Sequence, residues 1–125
     1  MDNELELIKT YIFDKNKIPL LINDKYYDEL SSSAVTLDAD CSLDLLNGYY
    51  DDKGNYLPPS WYNELTRKVL IIRNIDSIPV KEQSKFGEIL KYKKVNDFSL
   101  GEAIIIVTCK DNEISRDILS LVAKV

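Results

Sequence analysis

The chain has 125 residues, 45% of them apolar and 30% charged, with four glycines, four prolines and no histidine. This length and balance exclude a fibrous or disordered polypeptide and predict one domain over residues 1–125, large enough to bury roughly two-thirds of its unfolded surface without metal or disulfide help. The formal charge of −5 weighs against a direct nucleic-acid partner, because phosphate affinity rests on clustered Lys and Arg, and the lack of histidine weighs against zinc sites and imidazole catalysis.

Leu5, Ile8, Tyr11 and Ile12 recur at helical spacing, so an amphipathic helix is predicted from about Asn3 to Asp14, closed off by Lys15 to Lys17. Ile18 to Ile22 reads as a short buried strand leading into the polar turn Asn23-Asp24-Lys25. Tyr26 to Leu30 is expected to form a helical turn that Ser31 to Ser33 break. A weaker strand follows over Ala34 to Leu37, then an acid-rich corner at Asp38 and Asp40. Ser42 or Asp40 caps a short helix over Leu43 to Leu46, and Asn47-Gly48 supplies its left-handed stop. Tyr49 to Pro59 reads as a loop from its Gly, Asp, Asn and paired Pro, and Pro59-Ser60 opens a helix carrying Trp61, Tyr62 and Leu65.

Val69 to Ile72 is an apolar run of the kind buried in parallel sheets. After a loop to Pro79, a helix is predicted from Val80 to Tyr92 with Phe86, Ile89 and Leu90 on one face. Lys93 to Gly101 reads as a hairpin around Asn96-Asp97, Ala103 to Thr108 as the central strand of a sheet, and Ile114, Ile118, Leu121 and Val122 as a last helix. Alternating strands and helices predict an α/β fold, an open, mainly parallel Rossmann-like sheet with helices on both faces.

Most polar groups read as ordinary surface. Asp38, Asp40 and Asp44 lack the spacing of a calcium loop and suit caps and turns. Ser31 to Ser33 have no base partner, and Lys91, Lys93 and Lys94 suit a solvated edge. Cys41 and Cys109 are isolated, and no apolar run approaches the ~18 residues that span a bilayer. The polar N-terminus lacks a signal pattern, so a cytoplasmic protein is expected, without membrane partner, metal or cofactor. The aromatic group Tyr49, Tyr50, Tyr56, Trp61 and Tyr62 is the exception. Core packing claims Trp61, with Tyr49 as its second candidate, while Tyr50 and Tyr56 are assigned to a protein interface.

Lys68 to Pro79, KVLIIRNIDSIP, resembles the metal-binding strand of the AAA+ ATPases: an apolar strand, two positions that hold Asp-Glu in that family, an apolar residue, an acid, and a later Pro. From about Asp38 onward the resemblance extends to the MoxR/CbbQ/McrB-like branch of the P-loop NTPases. Leu45, Leu46, Asn47, Gly48 and Tyr49, then Gly54, Leu57, Pro58 and Leu65, stand in a similar order. VKEQSKFGEILKYKKVNDFSLGEAIIIVTCKD resembles that branch's Gln-containing helix, hairpin and sensor strand.

The resemblance also places substitutions where the family keeps its chemistry. Arg73 and Asn74 stand in place of Asp-Glu, so a fixed cation replaces the magnesium ligand and an amide replaces the carboxylate base. Asp76 matches a later, structural acid. The sensor position falls on Lys110, or on Thr108 in a shifted register, and the trans-acting arginine falls near Lys124, with Arg116 as an alternative cation. No glycine precedes Gly48, so the phosphate cradle is missing and Lys25 reads as a surface lysine.

The resemblance therefore implies a degenerate, non-hydrolysing interaction or regulatory module that docks on a protein, either a true AAA+ subunit or another copy of itself. Its alternative is a domain that binds a nucleotide or other anion through Arg73 and Lys110 without hydrolysis. An unrelated carboxylate enzyme using Asp40 or Asp76 ranks last, because neither has a nameable partner.

Overall fold

The computed structural model describes residues 3–13, 18–65, 69–96, 98–110 and 113–124. Asp14 to Lys17, Lys68 and Asp97, together with the side chains of Tyr11, Ile12 and Asp44, lie outside the described residues. Helix α1 spans Asn3–Phe13 and leads to strand β1, Leu20–Asn23. Short helical pieces follow at Asp24–Tyr26, α2 (Tyr27–Leu30) and Ser31–Ser33, before β2, Val35–Asp38. Then come α3 (Leu43–Asn47), the paired strands β3 (Tyr49–Tyr50) and β4 (Tyr56–Leu57), and α4 (Ser60–Asn63). Strand β5 is Val69–Arg73, and α5 is Gly87–Tyr92. Strands β6 (Lys94–Val95) and β7 (Phe98–Ser99) form a hairpin, followed by β8 (Ile104–Cys109), α6 (Arg116–Leu119) and β9 (Ala123–Lys124).

Five strands form an all-parallel sheet in the order β2-β5-β8-β1-β9. The two most apolar runs of the chain lie side by side in it, Val69 opposite Ile104 and Ile72 opposite Val107. Alternate residues of each strand point to opposite faces. Leu21, Leu37, Leu70, Ile72, Ile105 and Val107 meet Leu46, Trp61, Phe86, Ile89, Leu90 and Ile118 on one face. Leu20, Ile22, Val69, Ile71, Ile104 and Ile106 meet Ile8, Tyr26 and Leu30 on the other. Each such aliphatic side chain, when fully buried, contributes about 1.5–3 kcal/mol. The division follows from connectivity: β1 reaches β2 by crossing in one direction, the later connections run in the other, and right-handed crossovers then place α2 on one face and α3 to α6 on the opposite one.

The elements differ locally from expectation in several places. Val80–Phe86 is a 3-10 helix that becomes α-helical only at Gly87, with Gln83 turned fully into the protein. The last helix stops at Leu119, because Ala123 and Lys124 extend alongside β1, opposite Leu20 and Leu21. The segment read as a loop contains the β3–β4 pair, closed by Asp51, whose side chain accepts from the backbone N–H groups of Lys53 and Asn55. Gly48 precedes that pair at φ +93°, and a Cβ there would lie 2.4 Å from the carbonyl oxygen of Leu57, so glycine is required.

Candidate functional site at the carboxyl ends of the sheet

Strand β1 ends without a glycine loop. Asn23 accepts from the Lys25 N–H at 2.8 Å and so caps the 3-10 helix Asp24–Tyr26, which carries Asp24 toward the end of β5. The Asp24 carboxylate accepts a fork from Arg73, Nε to Oδ1 at 3.2 Å and Nη2 to Oδ2 at 3.3 Å. Thr108 Oγ1 donates to the same Oδ1 at 2.8 Å. The guanidinium carbon sits 3.8 Å from the centre of the Tyr27 ring, and the Tyr27 hydroxyl lies 2.6 Å from Thr36 Oγ1. The hydrogen bond that Arg73 donates to Asp24 raises the pKa of Arg73; burial works against that rise, and the charges of Asp24 and Asp38 add to it.

The rest of the expected constellation closes around Thr108, which is fully buried. Asn74 adopts the left-handed conformation at φ 58° and ψ 54°, which a short polar side chain tolerates better than a branched one. Its backbone N–H donates to Thr108 Oγ1 at 2.9 Å, while its side-chain Oδ1 is buried and has no hydrogen-bond partner among the described residues. Asp76, buried, accepts the Lys110 backbone N–H at 2.9 Å and so ties the end of β8 to the segment after β5. Arg73, Asn74 and Asp76 are thus neighbours, and Lys110 joins them through its backbone. Asp24 and Tyr27 are the members that sequence reasoning missed. The available signal was an acid immediately after one predicted strand and an arginine at the end of another, since parallel strands bring such ends together.

A cavity of about 520 Å³ is lined from the ends of β8, β1 and β9, where adjacent β1 and β8 send their continuing chains to opposite faces. Lys25, Lys110 and Lys124 line it with Glu4, over a floor that includes Ile114 and Leu119. Arg73 is not on its wall. The side chains of Arg73 and Lys110 therefore serve different surroundings.

The aromatic group is divided. Trp61 is buried, and its Nε1–H donates to the Leu45 carbonyl at 3.1 Å at the end of α3. Tyr62 donates to the Ser99 carbonyl at 2.7 Å, and the Tyr56 hydroxyl to that of Asn47. Rings continue from Tyr50 through Tyr56 and Phe98 to Tyr62 with centroids 5.0–5.6 Å apart. Tyr50 is 72% exposed, and Tyr49, the second core candidate, is 55% exposed, because both strands of its pair lie outside the central sheet. Leu43, Tyr49, Tyr50 and Tyr56 line a shallow depression of about 550 Å³.

Among the described residues no group of three or more His, Cys, Asp or Glu is placed to hold a metal ion, and no helix is long and apolar enough to cross a membrane. What the fold and site define is an α/β domain with an all-parallel, five-stranded sheet. No protein-family model matches the chain, and no curated protein matches it.

Proposed function

We propose that this chain is a non-hydrolysing, AAA+-like module of the cytoplasm that works by binding another protein, foremost a true AAA+ subunit. The observation that carries this reading is the Asp24–Arg73 fork under the Tyr27 ring. In the resembled family the end of this strand holds acids for Mg²⁺ and for the attacking water. Here a permanent cation stands there, and the chain's own carboxylate neutralises it. Asn74 has no carboxylate with which to act as a base.

The sheet order, with β1 between β8 and β9, differs from the 3-2-1-4-5-6 order of dinucleotide-binding folds and from the flavodoxin-like 2-1-3-4-5 order. The exposed Leu43, Tyr49 and Tyr50 support the contact role, because Tyr is favoured at binding hot spots. The test places a photo-crosslinking residue at position 50 and, as a control, at exposed position 81. A partner captured only from position 50 is then purified and titrated, and Tyr50→Ala should weaken that pair at least tenfold. Equal capture from both positions, or an unchanged affinity in Tyr50→Ala, would remove the reading.

A second reading, an anion bound without hydrolysis, is favoured by the cavity that Lys110 lines. Arg73 could join such a site only after its fork to Asp24 opens.

A further inference from the structure

We infer that the cavity between β1, β8 and β9 is a binding site for a compact polyanion of the phosphate class, held by Lys25, Lys110 and Lys124. The inference rests on the second reading above and changes its residue set, since the arginine of that reading is replaced by two lysines. The sheet order itself brings the lysines together: β8, β1 and β9 are successive neighbours, and each supplies one lysine at or just beyond its carboxyl end. Their backbones are fixed. Lys124 stands opposite Leu21 in the ladder, Lys110 is tied by its N–H to Asp76, and Lys25 by its N–H to Asn23.

Their charges are largely unspent. The Lys25 ammonium lies 5.0 Å from the centre of the Tyr26 ring, and among the described residues neither Lys110 nor Lys124 has an ion-pair partner. Glu4, the acid on the wall, accepts from the Tyr26 hydroxyl at 2.5 Å. Among the described residues three cations and one anion therefore line this crevice, in a chain whose net charge is −5. Such a concentration raises the local density of anions. Lysine ammoniums are point charges without the planar fork that matches a carboxylate, so they suit an anion with several oxygens spread around it. The described wall offers aliphatic side chains and no aromatic ring on which a base could stack. A volume of about 520 Å³ fits a small phosphate compound, as pockets for such ligands run to several hundred Å³.

The experiment titrates the full chain with pyrophosphate at low ionic strength, following heat and the backbone amide signals of residues 23–25, 109–110 and 124, with citrate and ATP in parallel. Pyrophosphate is expected to bind, and binding should weaken steeply with added salt. Lys110→Ala and Lys124→Ala should each cost on the order of five- to tenfold in affinity, as expected for losing one charge-assisted contact, and the double variant should lose binding. Lys91→Ala/Lys94→Ala, which alters a separate basic edge, should bind as the parent does. Dispersed amide spectra confirm that each variant is folded. Binding of any of the three anions that survives in Lys110→Ala/Lys124→Ala would overturn the lysine site while sparing the second reading. No heat and no amide shift with all three would overturn both.

Discussion

Removing the carboxylate of Asp24 probes the fork to Arg73 most fully. Asp24→Ala abolishes both bonds of the fork to Arg73 and strips the fully buried Thr108 hydroxyl of its acceptor. Breaking a fully buried ion pair from one side costs about 3–5 kcal/mol, and an exposed pair is worth about 0–1 kcal/mol. Side-chain exposures of 34% for Arg73 and 9% for Asp24 place this pair between those limits, because water reaches the freed guanidinium. Adding about 1 kcal/mol for the stranded hydroxyl gives an expected loss of about 2–3 kcal/mol. Asp24→Asn keeps a neutral acceptor and should lose about half as much. Urea unfolding at pH 7 measures this. With a slope of about 1–3 kcal/mol/M the Asp24→Ala midpoint falls by roughly 0.7–3 M at unchanged slope. A double-mutant cycle with Arg73→Ala should give a coupling of about 1–2 kcal/mol. Asp24→Ala within about 0.5 kcal/mol of the parent, or a coupling smaller than that, would mark the fork as a mere surface contact.

Asn74 tests the strand end: Asn74→Gly should be at least as stable as the parent, and Asn74→Ala about 1 kcal/mol less stable than Asn74→Gly, the cost of a Cβ in the left-handed region. Equal midpoints for the two variants would contradict that backbone conformation. Gln83 is fully buried and donates to the carbonyls of Ile78 and Glu113 while accepting from the Ser115 N–H at 2.7 Å. Gln83→Leu leaves those groups unpaired and should cost about 2–4 kcal/mol, a fall in Tm of roughly 8–15 °C; a fall below about 2 °C would show that the segment does not depend on it. Asp51 is held below the usual carboxylate range by the backbone N–H of Asn55, with that of Lys53 and the Asn55 side chain adding to the effect. A depressed folded value means that its support of the β3–β4 pair is present above the ordinary carboxylate range near pH 4 and is lost as pH falls through the folded value. Side-chain NMR should place the Asp51 midpoint below that range, and an ordinary midpoint would count against the closed turn.

The central sheet was legible because its strands announce themselves. Val69 to Ile72 and Ala103 to Thr108 are apolar runs too short for helices, and they are adjacent in the fold. The β9 strand was not legible, since Ala123 and Lys124 are extended by the neighbouring Leu20 and Leu21 rather than by any local preference. The β3–β4 pair hid behind turn-rich composition, because Asp51 makes its loop with side-chain bonds that mimic backbone ones. The site was half legible. Arg73, Asn74 and Asp76 could be picked out by position along a strand, and Thr108 by its place at the end of the neighbouring one. The partner of Arg73 lies 49 residues away, at Asp24, and no periodicity carries that information. The lysine cavity likewise depends on sheet order, which brings Lys25, Lys110 and Lys124 together from distant parts of the chain.

Under the proposed function the residues at the end of β5 perform no hydrolysis, and steady-state turnover of Mg-ATP by the purified chain measures this. Phosphate release is expected at the rate of the protein-free blank, unchanged by Asn74→Ala. Turnover above that blank that disappears in Asn74→Ala would contradict it.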